Sequence, residues 1–482
     1  MNKTVVRQVL GRILMIEALF MVFPLAVALI YQEDFQNILA FLLTIGVLLL
    51  IGALMGQGVL DRSYVGIKEG FGIVSLSWLL LSFFGSFPFM ISGQIPGFAD
   101  AFFESASGFT TTGASVLTDV EVLSHSILFW RSFTTLVGGM GILVFALAVL
   151  PKSAKGTVHI MSAEVPGPSF GKLVPKADIT ARILYKIYLG MTAVLIVILM
   201  IIGMQPFDAI IHGFGAAGTA GFSSKTASIG HYNSALIDYV IATATLIFGV
   251  NFQLYYLVLL GKWKVFLRSE ELRAFILIVC VATGLVMVSL QGEYASSADL
   301  LRHSYFTVAS VITTTGYATV DYAQWPLMSH YILLILMFIG SCSGSTAGGL
   351  KVSRVLILVK SGINEIKRAL NPNRVLVMNQ DNRPIKPDVV KAAHMYMTLY
   401  TGVFIVTLFL LVIDATDFMS AFSATAATLN NIGPGLAAVG PTQSYGEFTI
   451  LTKIVLALVM IIGRLEIIPI LVLFVPSTWT KK

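Results

Sequence analysis

Long apolar runs separated by short polar segments recur along the whole chain. Crossing the hydrocarbon core of a bilayer takes about 20 apolar residues in a helix, and most of these runs approach or exceed that length. The pattern therefore predicts an all-α polytopic membrane protein with ten membrane spans. The runs occupy residues 13–31, 38–55, 71–91, 126–150, 183–204, 235–260, 274–290, 326–339, 392–413 and 448–475.

The charged residues between the runs indicate how the chain is oriented. Every second loop is rich in Lys and Arg, with basic stretches around 151–186, 262–273 and 351–391, whereas the other loops carry acidic residues such as Glu33, Asp119 and Asp321. Basic residues concentrate in the cytoplasmic loops of membrane proteins. We therefore predict that the N- and C-termini are both cytoplasmic, and we attribute the net charge of +6 to topology rather than to a nucleic-acid partner.

Composition narrows the class of protein further. The 482 residues are 56% hydrophobic and 12% charged, and the mean hydropathy of +0.85 excludes a soluble enzyme or a disordered chain. The seven histidines lack metal-ligand spacing, and Cys280 and Cys342 are too few for a disulfide framework. No P-loop or dinucleotide-binding fingerprint occurs in the sequence. We predict that the chain is not an enzyme and holds no organic cofactor.

Four segments on the predicted outer side share one register. They read DAFFESASGFTTTGA (100–114), DAIIHGFGAAGTAGF (208–222), HSYFTVASVITTTGY (303–317) and SAFSATAATLNNIGP (420–434). Their reference glycines are Gly113, Gly221, Gly316 and Gly433, and each stands between two apolar runs. This period of roughly one hundred residues predicts four parallel repeats of span, re-entrant segment and span. The predicted division is an accessory helix pair at 1–66 and repeats at 67–160, 161–265, 266–375 and 376–482.

Each repeated segment predicts a short helix followed by an irregular strand. Thirteen residues before the glycines stand Asp100, Asp208, His303 and Ser420, and the two aspartates and the serine are good helix N-caps. A helix of two to three turns is too short to cross the ~30 Å core. Irregular backbone at membrane depth survives only where protein or a water-filled path surrounds it. Four such strands around one axis could present rings of oxygens to a cation. The alternative is that these glycines and threonines simply mark tight turns or close helix packing.

The four motifs resemble those of the Trk, Ktr and HKT superfamily of potassium transporters, and within it the bacterial TrkH and TrkG subfamily. They are GFTTTGAS at 108–115, AAGTAGFSS at 216–224, TTTGYATVD at 313–321 and LNNIGPGL at 429–436. The resemblance covers essentially the whole chain and implies one pore, with potassium preferred over sodium because all four filter glycines are present. The fourth motif departs from the TTTG pattern.

The resemblance also implies which residues line the potassium filter. These are Thr110, Thr111, Thr112, Gly113, Gly218, Thr219, Ala220, Gly221, Thr313, Thr314, Thr315, Gly316, Asn430, Asn431, Ile432 and Gly433. Further implications are a homodimer in the bacterial inner membrane and a ring of cytosolic regulatory subunits that bind ATP, ADP or NAD. Potassium is the transported ion.

The eighth apolar run is followed by GSCSGSTAGGLKVSR at 340–354, which cannot form a stable lipid-facing helix. The family resemblance makes this stretch an intramembrane gate beneath the filter. The alternative is a kinked helix whose serines bond to backbone. The predicted gate residues are Gly340, Ser341, Ser343, Gly344, Ser345, Thr346, Ala347, Gly348 and Gly349.

Five basic residues lie away from the predicted cytoplasmic loops. Arg464 lies within the last apolar run, with Glu466 close by. An intramembrane charge indicates a functional site. We predict that Arg464 faces the pore below the filter and contacts the gate, the alternative being a structural ion pair. We expect Arg131 and Lys453 to extend toward the outer surface, and Lys225 and Arg302 to hold filter loops in place.

Two other transport mechanisms are alternatives to a gated pore. A secondary carrier with inverted repeats also uses broken helices, but the four glycine segments here all lie on one predicted side. A proton- or sodium-coupled potassium symporter of the same fold stays open as the alternative function. No chain of intramembrane acids stands out in the sequence, which favours gated, passive potassium flow into the cell.

Overall fold

The computed structural model describes residues 1–57, 66–141, 177–373, 376–381 and 383–479. The second half of the apolar run 126–150 and several predicted cytoplasmic basic residues lie outside the described residues. These basic residues are Arg62, Lys152, Lys155, Lys172, Lys176, Arg374, Lys481 and Lys482.

The first two helices form a hairpin at the side of the molecule. Helix α1 (Lys3–Ile30) packs along α2 (Phe35–Gly56), and α1 also contacts α3 (Ile67–Gly85) and α6 (His125–Gly139). The outer face of α2 exposes apolar side chains such as Phe35 and Leu50. An exposed apolar face of this kind is suited to lipid. The hairpin joins the rest of the protein through α1 and through the contact of α2 with α4 (Phe87–Ile91).

The remaining helices follow in four groups. The first comprises α3, α4 (Phe87–Ile91), α5 (Phe98–Phe109) and α6, and the second comprises α7 (Ala177–Ile201), α8 (Pro206–Gly218), α9 (Ala235–Phe248) and α10 (Phe252–Leu259). The third comprises α11 (Trp263–Arg268), α12 (Glu270–Ser289), α13 (Ser297–Ile312), α14 (Leu327–Ile339) and α15 (Val352–Leu370). The fourth comprises α16 (Pro387–Leu411), α17 (Phe418–Leu429), α18 (Ile450–Arg464), α19 (Ile468–Leu473) and α20 (Pro476–Trp479).

Short elements complete the described chain. Strands β1 (Asn379–Gln380) and β2 (Arg383–Pro384) form an antiparallel hairpin between α15 and α16, which we call the β-hairpin. Single 3₁₀ turns occur at Ser228–Tyr232, Tyr322–Gln324, Ala437–Val439 and Tyr445–Glu447.

The four groups close into a ring through one repeated contact. The helix that follows each short helix packs on the short helix of the next group: α6 on α8, α9 on α13, α14 on α17, and α18 back on α5. The short helices contain 12, 13, 16 and 12 residues. At 1.5 Å per residue they are shorter than the ~30 Å hydrocarbon core. They are largely buried, so the ring places four half-length helices in the interior.

The prediction of ten membrane spans is only partly confirmed. Among the described residues, six helices are long and apolar enough to cross a membrane alone: α1, α2, α3 with α4, α7, α12 and α16. The run 235–260 is instead bent by 89° between α9 and α10. The run 448–475 is broken between α18 and α19, where Glu466 and Ile467 have φ angles of 57° and 68°. A right-handed helix cannot continue through such angles.

The predicted N-caps of the short helices are wrong. Helices α5, α8, α13 and α17 begin two to six residues before Asp100, Asp208, His303 and Ser420, which are therefore helical residues. In α17, the capping residue is Asp417, whose carboxylate accepts a hydrogen bond from Ser420 N at 2.9 Å. The side chains of the four residues bind elsewhere, as described below.

Candidate functional site

The four short helices end with the same backbone geometry. The residue two positions before each reference glycine is left-handed, with φ angles of 57°, 56°, 55° and 56° at Thr111, Thr219, Thr314 and Asn431. The next N–H in each segment donates back five residues, which is the closure typical of helix C-termini. These bonds run from Thr112 to Ser107, Ala220 to Gly215, Thr315 to Ser310 and Ile432 to Ala427, at 2.8, 2.8, 2.8 and 2.9 Å.

The glycines bring the four segments into direct contact. A methyl group placed on Gly113 would overlap the backbone nitrogen of Gly221, and one on Gly221 would lie 2.7 Å from the carbonyl carbon of Gly316. One on Gly316 would overlap the carbonyl oxygen of Ile432, and one on Gly433 would lie 2.8 Å from the carbonyl oxygen of Thr112. The segments therefore form a closed ring in chain order, which we call the glycine ring. Only glycine fits without displacing a neighbour.

In the first and third segments, the hydroxyls of Thr110 and Thr313 point back to their own helices. Thr110 Oγ1 donates to Ala106 O at 2.6 Å, and Thr313 Oγ1 donates to Ala309 O at 2.6 Å. Each also lies within hydrogen-bond distance of the threonine two residues later, at 2.8 and 2.7 Å. These hydroxyls are therefore held within the protein, whereas Thr111 Oγ1 is buried without a hydrogen-bond partner among the described residues.

Asparagines in the fourth segment replace these contacts with equivalent ones. Asn430 Nδ2 donates to Ala426 O, four residues earlier, at 2.8 Å, as Thr110 and Thr313 do in their segments. Its Oδ1 accepts from the Tyr400 hydroxyl at 2.9 Å. Asn431 Nδ2 donates to Thr112 Oγ1 and to Met460 O, both at 2.9 Å. Asn431 thus ties the fourth segment to the first, and the departure from TTTG leaves the ring closed.

Side chains of the short helices hold the chain that follows each glycine. In the first two segments, the residue nine positions before the glycine binds the serine two positions after it. Glu104 accepts from Ser115 Oγ at 2.8 Å in the first segment, and His212 Nε2 lies 2.9 Å from Ser223 Oγ in the second. These ties hold the segments from behind.

Two of the residues thirteen positions before the glycines serve the same purpose one position later. Asp208 accepts from Ser224 Oγ at 2.6 Å, and His303 Nδ1 lies 3.0 Å from Thr319 Oγ1. Asp100 instead forms an ion pair with Lys453 at 2.6 Å. Because their partners lie beyond the glycine or in another repeat, helix-capping rules do not reveal them.

The side chain of Arg131 is buried and connects the first and second segments. The prediction that it extends toward the outer surface is wrong. Arg131 is 3% exposed, and its Nε donates to Glu104 at 2.5 Å. Its Nη1 reaches Ser223 O at 3.3 Å, and its guanidinium lies 3.8 Å from the Phe222 ring centroid. The other two outer residues are also paired: Lys225 with Glu121 at 3.6 Å and Arg302 with Asp238 at 2.6 Å.

A cavity of about 110 Å³ opens on one side of the glycine ring. All four reference glycines line it, together with polar residues such as Lys225 and Gln443. Close by, Asp119 accepts hydrogen bonds from Thr226 Oγ1 at 2.7 Å and from Glu121 N at 2.9 Å. The Thr226 hydroxyl, and then the Glu121 N–H, lower the pKa of Asp119. This carboxylate therefore keeps its charge at neutral pH.

The predicted gate residues form a folded loop, 340–351, which contacts the opposite side of the ring. We call it the gating loop. Gly348 N donates to Thr314 Oγ1 at 2.7 Å, and a methyl group on Gly348 would overlap Asn430 O. Ser341 Oγ donates to Ile312 O at 3.1 Å. The tip of the loop thus lies directly against the third and fourth segments.

The bend between α9 and α10 supports the gating loop. Cys342 N donates to Gly249 O, and Phe252 N donates to Gly344 O, both at 3.1 Å. The break leaves backbone groups without hydrogen-bond partners inside a helix, and the gating loop supplies those partners. This bend was not predicted, although Gly249 and Asn251 mark it in the sequence. Asn251 caps α10 by accepting from Gln253 N at 2.9 Å.

Arg464 and Glu466, predicted together, bind different parts of the protein. Arg464 donates to Thr346 O of the gating loop at 2.6 Å, and to Gly138 O and Gly139 O at the end of α6 at 2.6 and 2.7 Å. Glu466 accepts from both terminal nitrogens of Arg354, in the first turn of α15. The structure thus places Arg464 against the loop and Glu466 at the base of the helix that follows it.

Within the described ranges, no group of three or more His, Cys, Asp and Glu residues could hold a metal ion.

Comparison with known proteins places this geometry in context. The model of a family described as TrkH, cation transport protein, matches residues 40–481. The chain is 37% identical to the Trk system potassium uptake protein TrkH of Escherichia coli K12, with all of both chains covered. It is 36% identical to the TrkG protein of the same strain, with 98% of each covered. The crystal structure of the potassium transporter TrkH from Vibrio parahaemolyticus matches with a TM-score of 0.90 and 35% identity, covering all of both chains.

Proposed function

Because the chain belongs to the TrkH family of cation transport proteins, we propose that it carries potassium into the cell through one pore at the centre of the glycine ring. Each of the four helix groups is one parallel repeat of membrane helix, re-entrant pore helix with filter strand, and membrane helix. Helices α1 and α2 are an accessory pair. A transport family agrees with the prediction that the chain is not an enzyme.

The closed glycine ring is the observation that carries this proposal. Four strands that leave their helices with the same geometry present successive carbonyls toward one axis, and such carbonyls can replace the hydration shell of a cation. The C-terminal ends of the four pore helices face the same point, which favours a positive charge there. The ring contains glycine at all four positions, as the potassium-preferring members of the family do.

The gating loop and Arg464 form the gate on the cytoplasmic side of the filter. Gly348 contacts the filter residue Thr314 from below, and Arg464 holds Thr346 in place. An ion leaving the filter meets this loop first, so conduction requires the loop to move. Its glycines supply the torsional freedom that such a movement needs.

The proposed orientation places both termini in the cytoplasm of a bacterial cell and the 110 Å³ cavity on the outside. Basic cytoplasmic segments then offer a docking face for the nucleotide-binding regulatory ring of the Trk system. The working unit is a homodimer with one pore in each subunit.

Passive flow is favoured over proton- or sodium-coupled symport, although one observation supports the alternative. Glu17 in α1 is fully buried, and neither of its carboxylate oxygens has a hydrogen-bond partner among the described residues. It lies near Gly85 and Ser105, behind the first pore helix rather than on the ring axis. If a proton gradient drives potassium above its electrochemical equilibrium in wild-type vesicles, and Glu17→Gln does not, symport through Glu17 replaces passive flow.

Uptake of rubidium in cells that lack other potassium importers tests the filter. In Gly113→Ser, the new side chain meets the backbone of Gly221, so we expect loss of discrimination against sodium. Gly190→Ser is the matched control, because nothing lies within 4 Å of a methyl group at Gly190 in α7. Unchanged sodium discrimination in a correctly inserted Gly113→Ser protein would disprove the filter assignment.

A further inference from the structure

Glu271 is a buried carboxylate at the base of the gating loop. It is the second residue of α12 and is 6% exposed. Its Oε1 accepts hydrogen bonds from the backbone N–H groups of Ser343 at 2.6 Å and Ser353 at 3.2 Å. A single carboxylate oxygen therefore joins the start of the gating loop to the first turn of α15.

These two donors explain why an acidic residue stands here. Ser353 N belongs to the first turn of α15, whose N–H groups have no partner within the helix. Lys351, the residue before α15, provides no side-chain cap. Glu271 supplies the missing acceptor from another helix, and a negative charge is favoured at a helix N-terminus. The tip of the loop, at Gly348, lies between the two tied positions.

The neighbouring residue connects the same turn of α12 to the cytoplasmic side. Glu270 forms an ion pair with Lys360 of α15 at 2.6 Å, and Glu270 N donates to Asp381 in the β-hairpin at 2.7 Å. Lys360 also donates to Asn379 O at 2.8 Å. The first turn of α12 thus binds the gating loop through one residue and the β-hairpin through the next.

We propose that Glu271 is a positioning residue that holds the gating loop against the filter, and that the β-hairpin acts on the gate through the first turn of α12. The inference rests on the proposed gating role of the loop. A movement of the whole loop that withdraws Gly348 from Thr314 either breaks the bonds from Ser343 and Ser353 to Glu271 or moves α12 with the loop. Breaking them leaves a buried carboxylate without donors, which is costly. Glu271 therefore favours the seated loop.

Rubidium flux into vesicles containing the purified full-length protein, without any partner, tests the proposal. We expect Glu271→Ala to raise the flux about tenfold, as for loss of one charge-assisted hydrogen bond. Glu271→Gln should raise it less, because the amide oxygen still accepts both bonds. Potassium over sodium selectivity should stay unchanged, a result that general misfolding would not give. Glu293→Gln, exposed beyond the other end of α12, is the matched control and should match the wild type.

Flux at or below the wild-type level in monodisperse Glu271→Ala overturns the proposal, as does raised flux with lost selectivity. If Glu271→Ala does not fold, Glu271→Gln decides the matter by the same criteria. Lys360→Met should raise the flux by a smaller factor, and a wild-type value there overturns the role of the β-hairpin.

Deletion of residues 344–348, measured in parallel, separates the two proposals. No rise in flux after this deletion means that the gate assignment itself fails. A rise after the deletion, with none in the Glu271 variants, overturns the inference about Glu271 alone.

Discussion

Replacing Arg464 with methionine should open the pore. The guanidinium of Arg464 is 7% exposed and donates to three backbone carbonyls, those of Thr346, Gly138 and Gly139, at 2.6 to 2.7 Å. The bond to Thr346 crosses to the gating loop, and the other two join α18 to the end of α6. Methionine fills a similar volume but donates no hydrogen bond, so the loop loses this anchor.

The size of the effect follows from that one bond. A hydrogen bond to a charged group contributes about 1.5–3 kcal/mol. If the closed state alone loses this stabilisation, the ratio of open to closed pores rises by a factor of roughly 10 to 150, since 1.4 kcal/mol of free energy is a factor of ten in an equilibrium constant. The lost positive charge acts in the same direction, because a cation leaving the filter no longer passes a guanidinium. Loss of the two bonds to α6 should also lower the thermal stability of the protein.

Rubidium flux into vesicles at equal amounts of monodisperse protein measures this ratio. Arg464→Lys is the control that separates charge from geometry, because lysine keeps the charge but not the planar fork that reaches three carbonyls. We expect flux to rise in the order wild type, Arg464→Lys, Arg464→Met. Equal flux in wild type and Arg464→Met would refute the reasoning, and equal flux in both variants would show that the charge contributes nothing.

Two further predictions concern the filter. Tyr445 donates its hydroxyl to Gly433 O at 2.8 Å, so Tyr445→Phe should free that carbonyl and reduce potassium over sodium selectivity several-fold in competitive uptake, without abolishing transport; unchanged selectivity would contradict this role. Arg131→Leu leaves Glu104 buried without its ion-pair partner, which should destabilise the protein by about 3–5 kcal/mol; adding Glu104→Gln should recover much of the lost melting temperature, and no recovery would show that the pair does not act as a unit.

The positions of the filter segments and the gating loop were predictable because their signals are local. Glycines at four equivalent positions are visible in the sequence since each segment needs the same turn and the same close approach. The break after Ile339 was visible for a similar reason, because the residues that follow cannot form a lipid-facing helix. Their roles as ion ligands and gate stay predictions until transport is measured.

The supporting contacts were not predictable, because their partners are distant in sequence. Glu271 and Ser343 are 72 residues apart, and Arg464 and Gly138 are 326 apart. Glu271 looked like an ordinary acidic residue in the first turn of a helix. The starts of the short helices were misplaced for the same reason. Asp208 suits an N-cap, but the fold uses it to hold Ser224 beyond the glycine.

The fourth segment indicates what the filter requires of its sequence. It has Asn430 and Asn431 where the first segment has threonines. Even so, the left-handed φ of 56° at Asn431 and the closing hydrogen bond of 2.9 Å from Ile432 N to Ala427 O match those of the other segments. Asparagine adopts left-handed torsions more readily than most residues, so it can take the position that threonine occupies elsewhere. The shared element is therefore the path of the backbone. Side chains in each segment need only secure that path, whereas each glycine meets the backbone of the neighbouring segment directly.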